Sequence, residues 1–469
     1  MDPVDAGLTS ANANTTMSRA YGRPLAIAVP LALLIVYMIS WVGPVYRQGI
    51  ESITRQTDFI ATATGALIIH DGDGPYLYDP HTQRAAQARL VAPYATGGTG
   101  GGDALPPRPY SPAPEPAGQG RWIAYIHPPW EAVLFAPLAE LPVSLLFTIW
   151  SLLALVALVA AFKIMHSTLP MPRYALPVAV IAMCSYQPVA RSFMLGQCAP
   201  LILLGLCMVY AATRRTPVAT LPAGAGLLLV ALKPQALVLV LALLLLHRRW
   251  KVLVVFAGMV ALAGAAVMPV LGVDWPLRYA GTLSALADAG EAGVHPQIMH
   301  NWRGLVLSVL GQQAPALVAP ITLLLCLLTV GLVAWCALRC ARREPVASGP
   351  VSHHGSHQVK VHLDLLWALV VVGTALISPH LYPHDLTIML LPAWIIAAYA
   401  SSGIWTRHLS TAWLTLLWAG YAVIPVTFYA DMIFDMPALT IVPGVLLLAL
   451  VALRLAGQQA RGPLLNAVV

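Results

Sequence analysis

Apolar runs long enough to cross a membrane recur along this chain, and they decide its solvent before any motif is considered. Leu25 to Val45 contains no charged residue and Val143 to Met165 contains one, and about 20 such residues span a ~30 Å hydrocarbon core as a helix. Charged residues are 10% of the chain, where a soluble domain carries roughly a quarter, so water cannot solvate most of the surface. In lipid every backbone polar group needs an internal partner, which leaves helices and closed barrels. The ~10-residue alternation of a membrane barrel is absent. The expected fold is therefore an all-α polytopic membrane protein, a bundle of about 12 helices with long extracytoplasmic loops.

The apolar runs lie at roughly 25–45, 143–165, 174–187, 196–212, 218–232, 234–246, 252–271, 315–339, 364–378, 386–400, 409–429 and 437–455. Several are too short to cross alone. The two runs that meet at Lys233-Pro234 read as a broken or re-entrant pair buried in protein, because proline removes a helical donor. The polar stretch before Arg23 precedes the first apolar run, which lacks the early placement of a cleaved signal and reads as a retained span. This gives a cytoplasmic tail 1–24, a membrane-embedded domain 25–455 and a second cytoplasmic tail 456–469. The six cysteines sit in or at the ends of apolar segments without metal-site spacing, so neither disulfides nor a metal centre is expected.

Positive loops stay on the cytoplasmic side. With the N-terminus inside, the inner helix ends collect sixteen of the 26 Lys and Arg and only four of the 19 acids. The net charge of +7 thus reports topology, and nucleic acid is not among the expected partners. Two outer loops are far longer than a connection needs, 46–142 and 272–314. Within the first, 94–120 is rich in Gly and Pro, and Ile50 to Ile69 reads as an amphipathic helix lying at the membrane surface. The His-rich inner stretch Ser348 to His362 reads as a linker. No internal repeat is evident.

Polar residues in a membrane bundle are costly and point to a site. They cluster on the outer side: Asp58, the stretch Gly74 to Pro80 with Tyr78 and Asp79, Tyr125 to Glu131, Arg191 with Gly196-Gln197, Lys233-Pro234, Asn301 to Arg303, and Ser378 to Asp385 with Tyr382 and His384. Each also has a purely structural reading. Asp58 is either a proton acceptor or a solvated helix charge. Tyr76 to Pro80 also suits a turn with interfacial aromatic anchors, and His127 to Trp130 also suits a helix start. Lys233, far from the inner edge, needs an anion, either a lipid phosphate or a buried carboxylate. Asp385 also suits a helix cap beside an exposed His384. Among other acids of the first loop, Asp71 and Asp73 flank a glycine in an apparent turn, Asp103 and Glu115 fall in the Gly/Pro segment, and Glu140 reads as deep in an apolar helix. No GxxxxGK[ST] phosphate loop is present, so any reaction must draw on a pre-activated donor.

The order of these elements resembles the polytopic glycosyltransferases of the GT-C class, most closely glycosyltransferase family 87. The resemblance rests on Asp58-Phe59, Leu77-Tyr78-Asp79-Pro80, Tyr125 with Pro128-Pro129, Ala136 to Pro142, Trp150, Gly196-Gln197, Lys233-Pro234 followed by Arg248-Arg249-Trp250, and Ser378-Pro379 running through Tyr382 and His384 to Leu391-Pro392. It implies a GT-C-like bundle in a bacterial plasma membrane, with an extracytoplasmic site. The implied reaction moves a sugar, mannose or another hexose or pentose, from a polyprenyl-phosphate sugar donor to a lipid or glycan acceptor, with no cofactor and no metal. The resemblance makes Asp58 the catalytic base and, more loosely, His384 a contact of the donor phosphate; the residues themselves offer Lys233, Arg191 and Arg303 as cations to bind and stabilise that phosphate. Tyr78, Asp79, Tyr125, Gln197, Asn301, Tyr382 and Asp385 are the expected substrate contacts. The Gly/Pro segment and the two histidines of Pro379-His380-Leu381-Tyr382-Pro383-His384 depart from the family pattern. A transporter for a lipid-linked or small polar substrate is the alternative class, because broken helices and buried polar residues also mark transport sites. A non-catalytic lipid-binding subunit is a third.

Overall fold

The structure, a computed structural model, describes residues 31, 32, 35, 57–95, 123–288, 299–311, 313–342, 353–402, 405, 410–421 and 441–457. The described residues form helices and short 3-10 turns, with no strand among them. In chain order they are α1 (Phe59–His70), α2 (Pro80–Ala95), α3 (Pro129–Phe135), α4 (Val143–Thr168), α5 (Leu176–Cys184) and α6 (Gln187–Leu195). Next come α7 (Ala199–Thr213), α8 (Thr220–Val230), α9 (Val238–Leu246), α10 (Trp250–Leu271), α11 (Trp275–Asp288) and α12 (Trp302–Leu310). The last are α13 (Pro315–Ala341), α14 (His353–Ile377), α15 (Leu390–Ser401), α16 (410–421) and α17 (Ile441–Gly457).

Five of these stretches are long and apolar enough to cross a membrane: α4, α10, α13, Lys360–Ile377 within α14, and Pro383–Ser401 ending in α15. The bent pair α5 and α6, 41° apart, makes a sixth. That is fewer than the expected dozen. Shorter apolar helices such as α7, α8 and the Pro234–Leu246 segment account for part of the difference, and the runs 25–45 and 409–429 fall partly outside the described residues. The kinks follow from proline. Pro188 stands just inside α6, and Lys233 is extended (φ −128°, ψ 93°) because a residue before proline is pushed out of the helical region. The expected break at Lys233-Pro234 is present.

Close approach of α7 and α8 depends on a glycine pair. A Cβ on Gly205 would lie 2.4 Å from the Gly226 carbonyl oxygen, and one on Gly226 would lie 2.6 Å from that of Gly205. Without a strong hydrophobic drive between helices in lipid, such small-residue contact is a main source of packing energy. The principal core gathers α4, α7, α9, α14 and α15 around residues such as Trp150, Leu203 and Trp367. A second core lies where α1, α2 and α3 meet the end of α10, around Ile68, Leu77, Tyr125, Val267 and Trp275.

Four expectations are corrected. The described part of the Ile50–Ile69 segment is not a surface helix: every residue from Phe59 to Ile69 is buried, because α2, α3 and α4 enclose it. The His-rich stretch is helical from His353, as the turns leading into the apolar run of α14 continue it. Glu140 is exposed, with 83% of its side chain accessible, and stands 3.4 Å from His70; the helix before it ends at Phe135 and gives way to a 3-10 turn. Tyr78 is no interfacial anchor, being 7% exposed.

A polar cluster far along α7 and α14 fastens the bundle. Arg214 Nε lies 3.0 Å from Asp364 Oδ1, Tyr210 and Tyr399 donate to the same carboxylate at 2.9 and 2.5 Å, and Arg214 Nη1 donates to the Thr168 carbonyl at 2.8 Å. Asp364 is completely buried, so its charge depends on these partners.

Candidate active site

Asp58 begins α1 but does not cap it. Its Oδ2 accepts a hydrogen bond from Gln197 Nε2 at 3.0 Å. The local sequence explains how Gln197 arrives there. Helix α6 ends on Gly196 in the left-handed region (φ 65°, ψ 43°), which an L side chain adopts at a cost. A Cβ at that position would also lie 2.6 Å from Phe59 Cβ and 3.1 Å from Phe147 Cε2. Glycine therefore lets the turn pack directly against α1, and the next residue meets Asp58.

Lys233 has the buried carboxylate that its position demanded. Its Nζ pairs with Asp385 Oδ1, and the two side chains are 11% and 7% exposed. The other oxygen of Asp385 accepts the Tyr382 amide at 3.0 Å, so Asp385 also caps the 3-10 turn Pro383–Met389. His384 Nε2 stands 3.6 Å from Asp385 Oδ1. The sequence reading of an exposed His384 is corrected: the residue is 4% exposed, because Ser192 of α6 donates to its carbonyl at 3.1 Å and draws the turn into the bundle. Ser192 of α6, Lys233 and Asp385 meet at this turn, and Asp58 and Arg191 are near enough for their charges to act on His384, so residues from separate parts of the chain form one polar cluster.

The pocket's border adds further groups. His300 donates its amide to the Leu381 carbonyl at 2.9 Å; burial, reinforced by Arg191, lowers its imidazole to about 4, which keeps it neutral near pH 7. Arg303 and Lys233 both act on His380. The His380 and Tyr382 rings meet edge to face at 4.7 Å.

Several expected substrate contacts are engaged in the fold itself. Asn301 is fully buried, accepts from the Gly304 amide at 2.8 Å and donates to the Ser378 carbonyl at 2.7 Å. Tyr125 donates to the Pro128 carbonyl at 2.8 Å, and Tyr78 donates to that of His127 at 2.9 Å. Burial above all raises both phenols well above their ordinary range, so they remain donors. Asp79 accepts from the Thr82 amide and hydroxyl at 2.7 and 2.9 Å; the amide bond is the chief cause that lowers its carboxyl. It is thus the cap of α2.

Sequence reasoning placed Glu131 at the end of the outer polar stretch from Tyr125 without giving it a role. It is 3% exposed and holds Thr62 and His127, each at 2.8 Å. The signal was present in the sequence as a His and a Glu four residues apart across a Pro-Pro helix start.

A helical, membrane-crossing bundle with a buried pocket of two carboxylates, several cations and histidines defines a polytopic membrane protein with a polar site. Residues 125–351, just under half of the chain, match the family model of glycosyltransferase family 87, and over that stretch the chain is similar to the glycosyltransferases of that family. No curated protein and no solved structure matches it. The match favours a transferase over a transporter. Gln197, Lys233, Arg191 and Arg303 lie inside the matched stretch, whereas Asp58, His384 and Asp385 lie outside it and join the site through contacts.

Proposed function

We propose that the protein transfers a sugar, mannose or another hexose or pentose, from a polyprenyl-phosphate donor to an acceptor hydroxyl on the extracytoplasmic side of a bacterial plasma membrane. The observation that carries this reading is the bond from Gln197 to Asp58, which orients a carboxylate in the same pocket as Lys233, Arg191 and His384. Asp58 takes the proton from the attacking hydroxyl as its oxygen bonds to the sugar carbon. The bond from that carbon to the phosphate oxygen breaks, and polyprenyl phosphate leaves as an anion. One displacement inverts the sugar carbon.

The departing charge is stabilised by preorganised cations. An ammonium has three donors, so holding Asp385 does not exhaust Lys233. Arg191 and Arg303 complete the cationic side, with the imidazole of His384 beside them as a neutral hydrogen-bonding group. A lipid-linked donor also suits the cavity of about 590 Å³ beside the pocket, which is apolar along most of its wall, with His300 among its lining residues and Met171, Tyr174 and Ser401 elsewhere on it. The test is transfer from radiolabelled polyprenyl-phosphate-mannose to membrane lipid by the purified protein in nanodiscs. Transfer from a nucleotide sugar, with none from any polyprenyl-phosphate sugar, overturns the proposal.

A further inference from the structure

A buried carboxylate that the reaction above does not use sits at the start of α3. An acid at the third position of a helix ordinarily reaches back to the amide of the N-cap residue. The N-cap here is Pro128, which has no amide hydrogen. Glu131 turns instead to side chains, with Thr62 Oγ1 at 2.8 Å and His127 Nδ1 at 2.8 Å from both carboxylate oxygens. The backbone around the histidine is fixed as well, by Tyr78 on the His127 carbonyl and Tyr125 on that of Pro128.

An ionised carboxylate only accepts, so Nδ1 carries a proton and Nε2 is the ring nitrogen left for another group. Among the described residues Nε2 makes no hydrogen bond. The His127 side chain is 17% exposed, and it acts on His380, as Lys233, Asp385 and Arg303 also do. The partly exposed ring therefore lies near the charges of that polar cluster. Thr62 lies four residues beyond Asp58, one turn along the same face of α1, which sets the pair beside the base. A second polar atom lies close by: Tyr279 Oη is buried without a hydrogen-bond partner among the described residues, its ring packs tilted against that of Tyr78 at 5.2 Å, and it lies within the field of Glu131.

We propose that His127 contacts a sugar hydroxyl through Nε2 and that Glu131 is the positioning residue that holds the ring for it. A hydroxyl both donates and accepts, which matches an imidazole nitrogen and a phenol together. The buried negative charge of Glu131 disfavours an anion there, so the group is the neutral sugar and not the phosphate. This inference rests on the glycosyl-transfer reading, and the kinetic arm of the test distinguishes the donor's sugar from the acceptor's.

The test uses the full chain in nanodiscs with tritiated octyl α-mannoside and octyl β-glucoside as binding probes. His127→Asn keeps an amide nitrogen where Nδ1 stood and lacks Nε2. Wild type is expected to bind at least one probe, and His127→Asn to bind it about 10-fold more weakly, the loss of one hydrogen bond. Glu131→Gln should weaken binding less, and the double variant should be no weaker than His127→Asn alone, because Glu131 acts through the ring. Should His127→Asn fail to fold, His127→Gln, which keeps an amide nitrogen near Nε2 but loses the bond to Glu131, is expected to bind as Glu131→Gln does. Equal binding by wild type and the His127 variants, or binding by neither, overturns the proposal. Transfer from polyprenyl-phosphate-mannose is measured on the same samples. Its absence alongside the binding difference rejects the donor assignment and leaves the His127 contact standing. Where transfer occurs, a rise in the KM for acceptor or for donor identifies whose sugar His127 touches.

Discussion

Gln197 Nε2 donates to Asp58 Oδ2 at 3.0 Å across 139 positions of sequence. The bond ties a residue inside the family 87 match to a carboxylate that lies outside it. Replacing Asp58 with Asn keeps size and hydrogen bonding but removes basicity, so turnover should fall about 100-fold or more while the protein still folds. Gln197→Ala should cost less, about 10-fold, since it loosens the base without deleting it. Single-turnover transfer with saturating donor measures both. An Asp58→Asn rate within a few-fold of wild type excludes Asp58 as the base.

Lys233 and Asp385 form a pair whose members are unequal when removed. Lys233→Met strands a buried carboxylate and should destabilise the fold by about 3 to 5 kcal/mol. Adding Asp385→Asn should restore much of that stability. Donor binding should remain about 30- to 1,000-fold weaker in the double variant, because the phosphate still lacks its ammonium. Thermal unfolding and donor binding on the same samples separate the two effects, and normal donor affinity in the double variant removes Lys233 from the donor site.

The cluster of Arg214, Asp364, Tyr210 and Tyr399 offers the contrast. It holds α7, α14 and α15 together and contributes no group to the polar pocket. Arg214→Met should therefore lower stability by about 3 kcal/mol or more and leave kcat unchanged at temperatures where the variant is folded. A selective loss of kcat, with the unfolding midpoint unmoved, contradicts that division.

Stability should also depend on pH through His300. An unfolded histidine protonates near pH 6.5, whereas burial lowers the folded one to about 4. Between those values the unfolded chain binds more protons, so stability rises with pH. The contribution is complete above about pH 6.5 and is lost progressively as the pH falls toward 4. His300→Gln should flatten the slope of the unfolding midpoint across that window, and an unchanged slope rules the residue out as its source.

The proposed orientation is open to direct labelling. A membrane-impermeant thiol reagent added to intact cells should modify Asp73→Cys, on the exposed turn after α1, and spare Arg215→Cys, at the exposed end of α7. The signal is read over that of the unsubstituted chain, which has an exposed Cys184. The reverse pattern inverts the topology and moves the pocket to the cytoplasmic side.

Sequence alone determined the solvent and the class of fold, because apolar length and scarcity of charge are local properties that survive any arrangement of the helices. It also located the proline break at Lys233, since a proline restricts the residue before it whatever the tertiary context. The residues of the pocket were legible too, as polar groups stranded among apolar ones. Their roles were not. Whether Lys233 meets a phosphate or a carboxylate, whether Asp79 caps a helix or waits for substrate, and whether α1 lies on the membrane or inside the bundle all depend on which segments come together. The glycine at 196 shows the reason most clearly: in sequence it is one of 35, and only the packing of α6 against Phe59 makes it the position that brings Gln197 to Asp58. Hydrogen-bond partners 69 or 152 residues apart, such as Thr62 with Glu131 or Lys233 with Asp385, are fixed by three-dimensional contact, and no local pattern in the chain encodes them.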